Sequence, residues 1–401
     1  MFLQRVVLKN YKSIAVCEVN LRQLTILVGP NGSGKSNFLD ALRFVADSLR
    51  TSLDHALRER GGIKEVRRRS AGHPTHFGIR LQFRLPDGAE GRYSFRIGAR
   101  QRGGYEVQQE ECSIADPTTV SPPTFYHVRN GEVESNIPSP PPAVTDRLYL
   151  VNASGLPAFR SVYEHLSRMG FYNLNPDRIR DLQAPDAGDL LARDGRNIAS
   201  VLGVLASNAP SIKRRIEEYL AKVVPGVSGV DKEVVGPKES LGFRQRVAGS
   251  KDPWHFFASS MSDGTLRALG VLVALFQSAN GQLPKVPFVG IEEPEVALHP
   301  AAAGVLMEGI RDASRNVQIA ITSHSPDLLD DDTLDNEALL AVDATEGDTR
   351  IAPLDQAGRS ALRDRLYTAG ELLRLNQLVP DPDAILKTAT SEPRLFDDGD
   401  D

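Results

Sequence analysis

The segment GPNGSGKS, Gly29–Ser36, constrains this chain more than any other stretch of it. It fits GxxxxGK[ST], and its flanks give the pattern a physical meaning. The continuous apolar run Leu24–Val28 predicts a buried parallel strand; Phe38, Leu39, Leu42, Val45 and Leu49 then recur at helical spacing from Lys35 onward. Glycines let a strand-to-helix turn curl until successive amide N–H groups point inward, and the positive end of the helix adds its field; together they hold phosphates. In such a loop Gly29, Pro30, Asn31, Gly32, Ser33 and Gly34 form the cradle, Lys35 reaches the β and γ phosphates, and the Ser36 hydroxyl ligates Mg2+. The expected ligands are ATP and Mg2+.

Three further motifs carry chemistry. In FVGIEEPE, Phe288–Glu295, apolar residues deliver a strand whose C-terminal end carries Glu292 and Glu293, where open α/β sheets place ligands. There Glu292 would hold Mg2+ and Glu293 would polarise an attacking water; a solvated strand end is the alternative. In AITSHSP, residues 319–322 predict a strand, and His324 just past its end could hydrogen-bond a γ phosphate. A lone histidine reads as a cap or core residue, but the company of the other motifs favours the sensor. In SSMSDGTLRALG, a Ser-Asp-Gly turn opens an apolar helix. Backbone donors, the helix-end charge and the Ser262 hydroxyl make an anion site there with Gly264; as an N-cap alone, Ser262 or Asp263 needs no further role.

Around these motifs the pattern predicts strands over 2–8 and 14–21, and an antiparallel layer over 76–130. The Pro-rich IPSPPPA at 137–143 reads as a linker, and 156–225 as mainly helical, with helices over 198–205 and 212–223. Strands are expected again over 287–291, 317–321 and 338–342, and the final LFDDGDD as a solvated tail. The expected division is 1–136 (phosphate loop and antiparallel layer), 137–225 (linker and helical lobe) and 226–401 (second part of the head).

Composition excludes several classes. The 401 residues are 41% hydrophobic and 25% charged, an ordinary globular balance. With a net charge of -5 the whole molecule is no polycation, so any DNA contact must come from a local patch. RERGGIKEVRRR, Arg58 to Arg69, carries six basic and two acidic side chains and could follow a phosphate backbone, or simply be a solvated face. Trp254, in KDPWHFF, is expected in packing rather than as a stacking platform for bases. Cys17 and Cys112 lack metal-site spacing and suit a reducing compartment. No apolar stretch has the length of a membrane span, so the expectation is a cytoplasmic protein with no membrane contact of its own.

The order of phosphate loop, Ser-x-Gly helix start, strand with a glutamate pair, then Ser-His resembles ABC-type ATPases. The opening FLQRVVLKNYKSI, with Asn10, Tyr11, Lys12 and Ser13, looks like the start of RecF, SMC and OLD-like members. SDGTLR and EEPEVALHP look like the compact bacterial "AAA family ATPase" proteins of that branch, and FYNLNPDRIRD with DGRNIASVL adds a weaker match. Asp263 in place of glycine and Glu292 in place of aspartate fit this branch better than transporters. The resemblance implies an α/β fold: a P-loop NTPase with an ABC-type head, an antiparallel β layer and an inserted helical lobe.

It also implies a homodimer formed on ATP binding, in which Ser262 and Gly264 of one subunit meet the γ phosphate held by Gly34, Lys35 and Ser36 of the other. Ala297, Leu298 and His299 would then lie in a loop crossing the dimer seam, unless that loop only leads into a helix begun by Pro300. The usual Q-loop glutamine has only weak candidates, Gln82 and Gln183. No heptad repeat is sustained, so the long SMC arm is not expected. The stretch after His324 is short for a Toprim nuclease and lacks its acidic set. The implied function is an ATP-hydrolysing switch acting on DNA or on a DNA-processing partner such as a nuclease, in genome maintenance or defence. The alternative is a regulatory ATPase controlling a toxic effector without touching DNA. KNYKSI and the long gap between phosphate loop and Ser262 speak against a transporter motor.

Overall fold

The computed structural model describes residues 1–70, 72, 74–101, 103–117, 121–278, 286–331 and 334–396. The chain divides into two units: Met1–Met169 with Asp335–Arg363 and Gln377–Asp401, and Gly170–Leu334 with Asp364–Asn376.

In the first unit, β1 (Phe2–Tyr11) and β2 (Ile14–Asn20) form a hairpin whose tight turn holds Asn10 and Lys12 at φ 54° and 49°. The almost wholly buried β3 (Leu24–Val28) runs into the glycine-rich loop and α1 (Lys35–Arg50), followed by α2 (Leu53–Arg58) and α3 (Ile63–Val66). Next come β4 (His76–Arg84), β5 (Glu90–Ala99), β6 (Tyr105–Ala115), β7 (Thr124–Arg129) and β8 (Glu132–Ser135). They continue the hairpin as an antiparallel sheet in the order β2-β1-β4-β5-β6-β7-β8. Phe44 of α1 seals against this sheet, its ring 6.1 Å from Tyr11, 5.4 Å from Phe77 and 6.2 Å from Phe95. Each such buried ring contributes about 1.5–3 kcal/mol.

The helices α4 (Tyr149–Ala153) and α5 (Pro157–Ser167) complete this segment. Glu110 of β6 is fully buried and accepts hydrogen bonds from the Tyr93 and Tyr126 hydroxyls and the Tyr149 and Leu150 amides, anchoring the start of α4. Burial pushes its carboxyl up to about 7, against the opposing pull of those donors.

The second unit opens with β9 (Gly170–Tyr172), α6 (Pro176–Arg180), α7 (Ile198–Asn208) and α8 (Pro210–Val223). An antiparallel meander follows: β10 (Val227–Val235), β11 (Lys238–Gln245) and β12 (Trp254–Phe257). Neither β9 nor this meander is expected from the sequence pattern. The expectation that Trp254 serves in packing is also overturned: the side chain is 57% exposed on β12, with Phe256 stacked at 6.4 Å. Then come α9 (Asp263–Phe276), apolar nearly all round and buried accordingly, β13 (Phe288–Glu292), α10 (Pro300–Ser314), β14 (Gln318–Ser323) and α11 (Pro326–Leu329). Strands β14, β13 and β9 pair in parallel, so the carboxyl ends of β13 and β14 lie side by side with Glu292 opposite Thr322.

The chain returns to the first unit with the hairpin of β15 (Leu339–Thr345) and β16 (Asp348–Pro353), and β15 lies parallel to β3. The remaining helices are α12 (Gln356–Arg363), then α13 (Ala369–Arg374) of the second unit, and α14 (Pro382–Ser391) of the first. The segment expected as a solvated tail begins in the core: Leu395 and Phe396 are 1% and 0% exposed and cluster with Val7. Arg80 reaches the Leu395 carbonyl, and the Arg96 guanidinium lies 5.2 Å from the centre of the Phe396 ring. The rest of LFDDGDD falls outside the described residues. No helix among the described residues is long and apolar enough to cross a membrane.

Candidate nucleotide site

In the first unit the loop after β3 tolerates only glycine at two positions. A Cβ on Gly29 would lie 2.0 Å from the Val342 carbonyl oxygen, and one on Gly34, at φ 98°, would lie 1.9 Å from Thr349 Oγ1. Lys35 is buried, and its ammonium donates to the carbonyls of Gly29 and Pro30 at 2.8 and 2.9 Å, inside the curl of the loop. Ser33 is buried with its hydroxyl lacking a partner among the described residues. Pro30, Asn31, Gly32 and Ser36 are exposed. A cradle closed to side chains, a cation folded into it and an orphan hydroxyl fit an anionic ligand with several oxygens.

In the second unit, the turn after β13 holds Glu293 at φ 44°, a left-handed conformation that costs a non-glycine residue on the order of 1 kcal/mol or more. Its amide donates to both the carbonyl and the hydroxyl of Thr322, at 3.1 and 3.2 Å. Arg267 of α9 donates to the carbonyls of Glu293 (3.2 Å), Glu292 (3.4 Å) and Leu174 (3.0 Å). Burial lowers the pKa of this guanidinium, opposed by the charges of Glu293, Glu295 and Glu292. So fixed, the Glu293 carboxylate meets Nδ1 of His324 at 3.1 Å.

Glu292 pairs with Arg193 at 3.2 Å. Glu295 is buried, accepts from Ser323 Oγ at 2.7 Å, and has its pKa raised by that burial. The sequence pattern assigns no functional role to Arg193, Arg267, Thr322 or Glu295. For Glu295, the EEPE run offers a local signal; the others act across long separations. The Ser36 hydroxyl in the first unit and the Glu292 carboxylate in the second are each hard oxygen donors of the kind Mg2+ takes beside phosphate oxygens.

Ser262 is exposed and caps α9, its hydroxyl accepting from the Thr265 amide at 3.2 Å. Asp263 pairs with Arg180. Gly264 is required by close approach, since a Cβ there would sit 2.5 Å from the carbonyl oxygen of Ala297, itself at φ 67°. His299 caps α10 through Nδ1, with Pro300 in the first turn, and so has a local role independent of any seam.

Gln183 is unsuited to a Q-loop: it is buried, its amide nitrogen donates to the Ile179 carbonyl and its oxygen accepts from the Ala199 amide. Gln82 lies within β4. The basic run is largely engaged within the fold. Arg60 is 2% exposed against Asp40 and Asp47, Arg68 pairs with Asp348, Arg67 donates to the Pro74 carbonyl, and Arg69 and Arg58 pair with Glu65 and Asp54 on the surface.

A glycine loop between a buried parallel strand and a helix, with a glutamate pair ending β13 and a histidine just past β14, defines an ABC-type ATPase head of the SMC and RecF kind. Its fold matches an Smc head bound to the C-winged helix domain of ScpA, with a TM-score of 0.57 and 16% identity over 90% of this chain and 100% of that one. It likewise matches the Smc head domain derived from Pyrococcus furiosus, with an extended coiled coil and bound to the C-terminal domain of ScpA. There the TM-score is 0.58 and the identity 12%, over 91% of this chain and 99% of that one.

The chain belongs to the family described as "AAA domain, putative AbiEii toxin, Type IV TA system", whose model matches residues 24–330. Among curated proteins it is similar to the chromosome partition protein Smc of Halothermothrix orenii, 28% identical over 196 residues, 45% of this chain and 16% of that protein. The Smc of Desulfitobacterium hafniense is 29% identical over 286 residues, 60% of this chain and 23% of the relative. The match thus spans less than a quarter of either relative's length.

Proposed function

We propose that this protein is an ATP-hydrolysing switch in which two copies sandwich ATP, and that it acts on DNA or on a DNA-processing partner. The observation that carries the reading is the Glu293–His324 pair, held at the end of β13 by Thr322 and Arg267 in a chain that also bears the glycine loop. In this reading Gly29–Ser36 binds the phosphates, Lys35 neutralises their charge, Glu293 polarises the attacking water and His324 reports the γ phosphate. Ser262 and Gly264 of the second copy close the site. When bound, Mg2+ would be held by Ser36 and Glu292 and would supply charge neutralisation on the phosphate oxygens. Most of the acceleration in such a reaction comes from positioning and electrostatics, which suits a carboxylate fixed at its backbone.

The test is ATP turnover by the purified protein with and without DNA, together with DNA binding by Glu293→Gln across a salt series. DNA-stimulated turnover and a steep salt dependence are expected. ATP turnover indifferent to DNA, with no binding at low salt, would discard the DNA arm. A second reading, a regulatory ATPase that holds or releases a toxic effector, is favoured by the internal pairing of Arg60 and Arg68 and by membership of a family associated with a type IV toxin–antitoxin system. Neutralising the exposed Arg58, Lys64 and Arg69 separates the two, since it weakens DNA binding only under the first.

A further inference from the structure

The glycine loop is braced by a residue more than three hundred positions away. Thr349 of β16 is 3% exposed, and its hydroxyl donates to the Ser33 carbonyl at 2.9 Å. Its amide donates to the Ser13 carbonyl at 2.9 Å. A hydroxyl has a single proton, so the 2.7 Å contact between Thr349 Oγ1 and Ser13 Oγ must be donated by Ser13. Asn37 of α1, through Nδ2, in turn donates to Ser13 Oγ at 2.6 Å. The protons therefore run one way, from Asn37 to Ser13 to Thr349 to the Ser33 carbonyl. This chain ties the first turn of α1, the β1–β2 turn and β16 to one peptide of the loop.

That peptide matters because its two ends point in opposite directions. A trans peptide is planar with C=O and N–H opposed, so fixing the Ser33 carbonyl on Thr349 aims the Gly34 amide away from Thr349. The side chain of Thr349 also fills the space that a Cβ on Gly34 would occupy. We propose that Thr349 is a positioning residue for nucleotide phosphate, orienting the Ser33–Gly34 peptide through the Asn37–Ser13–Thr349 chain. The proposal rests on reading Gly29–Ser36 as the phosphate site.

The test is the affinity of the full chain for a labelled non-hydrolysable ATP analogue, with steady-state hydrolysis beside it. Thr349→Val keeps the shape and removes the hydroxyl; Kd and KM should rise about tenfold with kcat within about threefold, the loss expected of one hydrogen bond and its misdirected peptide. Thr349→Ser should restore affinity to within about threefold, because it returns the donor. Wild-type affinity in folded Thr349→Val, a failure of Thr349→Ser to recover, or a loss confined to kcat would each overturn the proposal.

Lys35→Ala in the same assay tells this failure from that of the underlying reading: if it binds the analogue as wild type does, the phosphate site itself is wrong. Should Thr349→Val not fold, Ser13→Ala carries the test by removing the donor to Thr349. A rise in Kd of about threefold supports the chain, and unchanged affinity sinks it.

Discussion

His324 and Glu293 face each other as hydrogen-bond partners, Nδ1 to Oε1 at 3.1 Å, across the ends of two adjacent parallel strands. An ionised carboxylate can only accept, so beside it a neutral imidazole carries its proton on Nδ1, and Nε2 can only accept in turn. In that state His324 cannot donate to a phosphate oxygen. It becomes a donor when the ring is protonated, or when a protonated Glu293 donates to Nδ1 and the neutral ring carries its one proton on Nε2. The contact therefore links the protonation of the proposed base to what the histidine can offer the γ phosphate.

Glu293→Gln should keep ATP bound while hydrolysis falls by roughly 10²–10⁴-fold, since the amide keeps the shape but cannot take a proton. The amide can also donate to Nδ1, permitting the His324 tautomer that donates from Nε2. Single-turnover hydrolysis and size exclusion with ATP are the measurements, and a persistent dimer is expected. If Glu292→Gln gave the loaded, slow state instead, the two carboxylate roles would be exchanged.

Lys35→Ala should abolish tight ATP binding. The ammonium is the cation folded into the loop, against the carbonyls of Gly29 and Pro30, and its removal leaves phosphate charge to neutral amides. Equilibrium binding of a labelled analogue checks this, with thermal unfolding as the control for a folded variant.

What could be read from the sequence follows the range of the forces involved. β3 and the start of α1 fall where the apolar run and the glycines put them, because strand, turn and helix there are each specified by neighbouring residues. β13 and β14 are legible because strands buried on both faces are continuously apolar. The β10–β12 meander buries Val227, Val230, Leu241 and Phe243 but leaves Val234, Trp254 and Phe257 exposed, so apolar character alone does not tell its inner face from its outer one, and β9 has only three residues. The candidate site shows the same division. Its motif residues are local, whereas the groups that hold them, Thr349 on Ser33, Arg267 on Glu293 and Arg193 on Glu292, come from 316, 26 and 99 positions away. No local pattern announces such partners. Leu395 and Phe396 were hidden for another reason: the acidic residues after them give the segment the composition of a tail.

Acid should weaken the first unit through Asp40. Burial alone would push its carboxyl up, but Arg60, Arg43 and Lys12 outweigh burial and hold it well below the ordinary carboxylate range. Because the folded value is depressed, this stabilisation is present above the unfolded value of about 4 and is lost as pH falls further, toward the folded value. Asp40→Asn should cost on the order of 3 kcal/mol at neutral pH, since it leaves the buried Arg60 without its main partner. The gap in melting temperature between variant and wild type should therefore stay constant from pH 7 to about 4 and begin to narrow below that. A gap that stays constant below about pH 4 as well would show that the loss is one of packing.

Ser262→Arg addresses the proposed dimer. Ser262 caps α9, and losing that cap costs about 1 kcal/mol, a small fall in melting temperature that Ser262→Ala would share. If Ser262 also meets a γ phosphate on the second copy, the arginine does more. Nucleotide binding should stay nearly intact, because the phosphate loop belongs to the nucleotide's own subunit, while ATP-dependent dimerisation and hydrolysis are lost. Mixing then becomes diagnostic. In a heterodimer of Lys35→Ala with Ser262→Arg, one site carries both lesions and the other has an intact Lys35 facing an intact Ser262. Random pairing makes half of the dimers mixed, each with one good site, so rescue is expected up to about a quarter of wild-type turnover. Rescue below that level would measure how far the two sites must act together. Full hydrolysis by Ser262→Arg alone would mean that the Ser-Asp-Gly turn is a helix cap and nothing more, and the sandwich dimer would have to be given up.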